Sequence, residues 1–145
     1  MTQIRTQFDL MCILANRLTG RDCIVRLQEP VTKNSLATMQ VNPEGVPVIH
    51  VSPGLGQWTL HSLLHECAHV RLHYGQISRS SIDQARPRSI TVTKEQKSPV
   101  IEDQADQLRD QWLAWGVKHA DPTLPTDEGI MWALLNFYAE EADHE

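Results

Sequence analysis

Apolar positions step by three and four along residues 3–19, where Ile4, Phe8, Met11, Cys12, Ala15 and Leu18 form one stripe. That period predicts a helix, and Gly20 is placed to end it in the left-handed conformation. The period then changes. Residues 22–28 (DCIVRLQ) alternate moderately, and Glu29-Pro30 breaks the run. Residues 36–41 (LATMQV) alternate well, and residues 46–51 (VPVIHV) are β-branched and apolar. These predict three short strands. Asn42-Pro43-Glu44-Gly45 is a turn sequence, so the last two strands read as a hairpin. Pro47 predicts an edge strand, or one whose missing N–H faces solvent.

The helical period returns in residues 57–74, with Leu60, Leu63, Leu64, Ala68 and Leu72 as the inward row and no Pro or Gly to interrupt it. Residues 75–97 are polar and carry no clear helical pattern, though Ser89 to Lys94 could form a brief strand. Ser98-Pro99 supplies a favoured cap and first-turn residue for another helix reaching about His119. Its predicted buried face is Val100, Ile101, Ala105, Leu108, Trp112 and Trp115. A loop at residues 122–126 precedes a last helix from Asp127 to about Glu141, with Ile130, Ala133, Leu134 and Phe137 inward. The pattern as a whole predicts an α+β fold. It comprises an N-terminal helix, a short antiparallel or mixed sheet of about three strands, a central helix and two C-terminal helices.

The chain has 145 residues, for which one domain (1–145) with its own core is the expectation. No apolar run approaches the length of a membrane span, and residues 1–20 are too polar for a secretory leader. A cytoplasmic protein without membrane partners is expected. Cys12, Cys23 and Cys67 are odd in number and form no C-x-x-C pair. That argues against a disulfide framework or a cysteine-only zinc site. The net charge of −5 is uneven: +1 over residues 1–74, +3 over 75–97 and −9 over 98–145. Direct nucleic-acid binding, which calls for a basic face, is not expected.

The chemistry concentrates in His65-Glu66-Cys67-Ala68-His69, which reads H-E-x-x-H inside the central helix. Residues four apart share a helix face, so His65 and His69 can point two imidazoles at one metal ion, with Glu66 beside them as a general base. With seven His and nine Glu in the chain, a shuffled sequence would contain the motif at roughly a 2% rate, which makes a solvated His-rich helix the weaker reading. His61 and His73 continue the four-residue spacing. Each such step rotates about 40° beyond a full turn, so the four cannot all face one ion. His73 is expected to cap the helix or pack beside the site, His61 to be an exposed polar residue, and Cys67 to pack in the core.

Catalytic zinc commonly takes three protein ligands and leaves a fourth position for water. The pattern H-E-x-x-H-x-x-G-x-x-H is excluded, because residues 72 and 75 are Leu and Gly. A carboxylate on a later helix is the alternative. Glu102 lies in the first turn after Ser98-Pro99, Asp106 follows one turn on, and Ala105 is small enough to let two helices approach. Glu102 would bind the metal, and Asp106 would accept the outer N–H of a ligating His. An exposed acidic first turn, favoured by the helix dipole, is the plain alternative.

The pairing resembles the gluzincin metallopeptidases and, within them, the short ImmA/IrrE family. The resemblance covers roughly residues 36 to 116 and rests on residues 46–51, on the helix Leu60 to His73 and on Glu102-Asp103-Gln104-Ala105-Asp106. Ala68, Asp106 and Leu108 stand where members often have Gly, Asn and an aromatic. The resemblance implies a small zincin-like domain and a Zn2+-dependent protease. It also implies a protein or peptide substrate, often a transcriptional repressor encoded elsewhere.

On that reading, zinc held by His65, His69 and Glu102 activates a water for peptide hydrolysis, and Glu66 moves the proton. The substrate peptide would add itself to the exposed edge of strand 46–51. Tyr74, His119 and Tyr138 are candidate oxyanion donors, each with a structural role as the simpler reading. The competing function is a catalytically weak or inactive module that keeps the zincin fold and binds a regulatory partner.

Overall fold

The computed structural model of the chain describes residues 6–27, 37–52, 57–76 and 99–138. The first helix, α1, spans Gln7–Thr19. Thr6 and Asp9 cap it reciprocally: the Asp9 N–H donates to Thr6 Oγ1 at 3.1 Å, and the Thr6 N–H to Asp9 Oδ2 at 3.2 Å. Gly20 ends it at φ 71°, in the left-handed region that glycine adopts without steric cost. Its buried face is broader than the sequence stripe, because Leu10 and Leu14 are as deeply buried as Ala15 and Leu18. The reason is that α1 touches three elements, β1, α2 and α4, rather than one.

Three strands follow: β1 (Ile24–Leu27), β2 (Ala37–Val41) and β3 (Pro47–Val51). β2 and β3 form the expected hairpin, in antiparallel register from Ala37↔Val51 to Val41↔Pro47. Gly45, at φ 86°, closes its turn, and the Asn42 N–H donates to the Val46 carbonyl at 2.9 Å. β1 pairs parallel with the other side of β3, giving the order β1-β3-β2.

That order corrects the reading of Pro47. β3 is the central strand, and both of its edges are paired. Proline is tolerated because it is the first residue of the strand and the pairing with β1 begins one residue later, at Val48. The same finding removes β3 as a docking edge for a substrate strand; among the described residues, β1 and β2 are the outer strands.

Val25, Met39, Val41, Ile49 and Val51 join one core with the helices. Thr38, Gln40, Val48 and His50 share the opposite face, and all four are buried. Gln40 Nε2 lies 3.4 Å from His50 Nε2, while Thr38 Oγ1, Gln40 Oε1 and His50 Nδ1 have no hydrogen-bond partner among the described residues. Burial first, and then the Arg26 charge, pull the His50 pKa down from 6.5 to about 4. Between those values the unfolded chain takes up a proton that the folded chain refuses, so stability falls as the pH drops through this window. Above 6.5 neither state is charged and the effect vanishes. Each pH unit costs about 1.4 kcal/mol per group. Chemical denaturation at pH 7.5 and 4.5 should therefore show a loss smaller by about 2–3 kcal/mol in His50→Leu than in the natural chain. Equal losses would clear His50 of this role.

Helix α2 (Gln57–His73) lies on the sheet and continues as a short 3-10 turn at Tyr74–Gln76. Leu60, Leu63, Leu64, Cys67, Ala68 and Val70 are buried. Leu72, expected inward, is 45% exposed. A row stepping by four drifts about 120° from residue 60 to residue 72, so it leaves the core. Helix α3 (Pro99–His119) packs chiefly on α2, with Ala68 and Ala105 both fully buried. Val100, expected inward, is 63% exposed in the first turn, while Trp112 is fully buried. Helix α4 (Thr126–Leu134) is interrupted by a turn at Leu135 and Asn136, and helical backbone resumes at Phe137 and Tyr138; residues 139–141 of the expected span lie outside the described residues. The polar stretch from residue 77, with its possible strand at 89–94, lies outside the described residues. No described helix is long and apolar enough to cross a membrane.

Candidate metal centre

The middle of α2 and the first turns of α3 carry the site. His65 and His69 stand one turn apart on α2, and their rings meet edge to face with centroids 4.6 Å apart. Their Nε2 atoms are 3.1 Å from each other. Glu102 reaches across from α3, with Oε2 3.0 Å from His65 Nε2 and Oε1 3.4 Å from His69 Nε2. One donor atom from each of the three residues lies within 4.8 Å of the others, so the group could hold a metal ion.

The donor set and its spacing suit a small tetrahedral cation. Bonds of about 2.0–2.2 Å arranged tetrahedrally place neighbouring ligand atoms about 3.3 Å apart. The Nε2–Nε2 separation of 3.1 Å and the two carboxylate contacts, 3.0 Å from Oε2 to His65 and 3.4 Å from Oε1 to His69, lie close to that value. Side-chain exposure is 20% at His65, 12% at His69 and 37% at Glu102, so the site is anchored in protein on one side and meets solvent on the other.

Asp106 lies against the outer edge of the His65 ring. The His65 Nδ1–H donates to Asp106 Oδ1 at 2.9 Å, and that oxygen also sits 3.1 Å from Arg109 Nη1. A neutral imidazole with its proton on Nδ1 leaves Nε2 bare for a cation. Burial is the largest influence on His69, followed by the nearby His65. Together they hold its pKa down to about 4 against the opposing pull of Glu102. At neutral pH it is uncharged, the form a metal requires.

Glu66 is half-buried on α2, directly after His65, and lies outside the convergent trio. Cys67 is fully buried, and burial pushes its thiol pKa well above 9; it belongs to the core. His61 is half-buried and outside the trio. Tyr74 donates its hydroxyl to the Gly45 carbonyl under the Arg21 guanidinium. Tyr138 lies beneath Arg71, and His119 stacks on Trp115. The Tyr74 hydroxyl is thus engaged by backbone, and the rings of Tyr138 and His119 pack against neighbours.

The unexpected member is Gln104. Its Oε1 lies 2.8 Å from His73 Nε2, and His73 Nδ1 lies 3.2 Å from His69 Nδ1. Sequence spacing placed His73 beside the site. Gln104, an ordinary polar residue two positions after Glu102, carried no signal of its own.

Comparisons with protein-family models, curated proteins and solved structures return no match.

Proposed function

We propose that the chain is a zinc-dependent peptidase of the ImmA/IrrE kind, which hydrolyses peptide bonds of a protein substrate with Glu66 as general base. One observation carries the reading: two imidazole nitrogens and a carboxylate from separate helices converge at tetrahedral spacing, with a glutamate next to one of them in sequence. Two nitrogens and one oxygen from protein, with a solvent-facing side, is the donor set of catalytic rather than structural zinc. A repressor protein is the substrate class that the sequence resemblance suggests.

His65 and His69 supply neutral nitrogen donors and Glu102 a compensating negative charge. A zinc ion held there would act as a Lewis acid on the scissile carbonyl and would lower the pKa of an attacking water toward neutrality. Glu66 accepts the attacking water's proton and returns it to the departing amine, so that no amide anion has to form. Asp106 keeps the His65 ring turned toward the site.

Metal removal tests the proposal. Chelator-treated protein should cleave neither an unfolded protein nor a peptide mixture, and zinc should restore cleavage. Zinc at a hundred times its Kd should also stabilise the fold by about 2.7 kcal/mol, read as a raised Tm. Cleavage that survives in metal-free protein would contradict the proposal.

A further inference from the structure

His73 is 4% exposed although both ring nitrogens are polar. It lies between a proposed metal ligand and a side-chain amide: Nε2 is 2.8 Å from Gln104 Oε1, and Nδ1 is 3.2 Å from His69 Nδ1. The chemistry of these atoms gives the chain a direction. An amide oxygen only accepts, so His73 Nε2 carries the proton. A neutral imidazole has one N–H, which leaves His73 Nδ1 bare and able only to accept. The proton in the 3.2 Å contact therefore belongs to His69 Nδ1. His69 Nε2 is left bare, and this is the atom that faces Glu102 and His65.

We infer that His73 and Gln104 are positioning residues that fix the His69 tautomer, so that its Nε2 lone pair is presented to the metal site. The inference deepens the metallopeptidase reading and rests on its ligand set. The two metal-facing histidines are then oriented by different devices on the same helix. Asp106, a carboxylate, acts on His65 directly, whereas Gln104, a neutral amide, acts on His69 through a second imidazole. The His65 arm carries a formal charge and the His69 arm does not, which suits the more buried of the two rings.

Three replacements of Gln104 separate this role from simple packing. Gln104 is exposed, so none of them opens the core. Gln104→Leu removes the acceptor. Gln104→Lys offers only donors and reverses the chain, which drives the His69 proton onto Nε2. Gln104→Glu keeps an acceptor, measured well above the ordinary histidine pKa of about 6.5.

Nitrogen-15 NMR of the metal-free protein reads which His69 nitrogen is protonated, and competition with a chelator reads zinc affinity. The expected result is a proton on Nδ1 in the natural chain and in the Glu variant, and on Nε2 in the Lys variant. Zinc binding should weaken about 10–100-fold in Gln104→Lys, by less in Gln104→Leu, and recover in Gln104→Glu. A natural chain with the His69 proton on Nε2 would overturn the inference. So would a Lys variant whose proton stays on Nδ1. If the tautomers behave as stated while the natural chain binds no zinc, the positioning role stands and the metallopeptidase reading fails.

Discussion

Replacing Glu66 by Gln should leave zinc bound and lower kcat by about 10²–10⁴-fold, the usual worth of a positioned general base. Glutamine matches glutamate in shape but cannot accept the proton of an attacking water. The argument for retained metal is geometric. Glu66 lies outside the convergent trio formed by His65, His69 and Glu102. Zinc per chain by elemental analysis and turnover of an unfolded protein substrate, measured on the same preparation, give the two readings. Zinc lost together with activity would mean that Glu66 holds the site rather than moves protons. Undiminished turnover would remove it from the mechanism, whereas a natural chain that holds zinc and cleaves nothing would favour one that binds partners without hydrolysing them.

Glu102→Ala should have the opposite signature, a folded protein that no longer retains zinc. Losing an outer hydrogen-bond partner of a ligand commonly weakens metal binding about 10–100-fold, and loss of a direct ligand should exceed that. The fold should hardly notice. Glu102 is an accessible first-turn carboxylate on α3, whose favourable interaction with the helix dipole is about 0.3–1 kcal/mol. A near-unchanged Tm without zinc, together with the loss of zinc-induced stabilisation, is the expected pair of results. Zinc affinity equal to that of the natural chain would reduce Glu102 to a solvated acidic turn.

Much of this site can be read from the chain. The four-residue step between His65 and His69 already fixes a shared helix face. The Ser98-Pro99 start places Glu102 and Asp106 one turn apart on α3. The hairpin is equally legible, because Asn42 to Gly45 specify a turn whatever surrounds them. What stays hidden depends on partners remote in sequence. Pro47 looks like an edge residue until β1 is known to pair with β3 from Val48 onward. Leu72 and Val100 look buried until the crossing of α2 and α3 shows which part of each face is covered. Gln104 acquires meaning only when a residue 31 positions away is found against it. Periodicity reports which face of an element is apolar; the elements that meet it, and at what angle, are tertiary facts.

The most direct test of the central claim is anomalous diffraction at the zinc edge from crystals of the zinc-loaded natural chain. The account predicts one ion per chain, about 2.0–2.2 Å from His65 Nε2, His69 Nε2 and a Glu102 oxygen, with a fourth position open to solvent. A zinc signal elsewhere on the molecule, or none between α2 and α3, would contradict it.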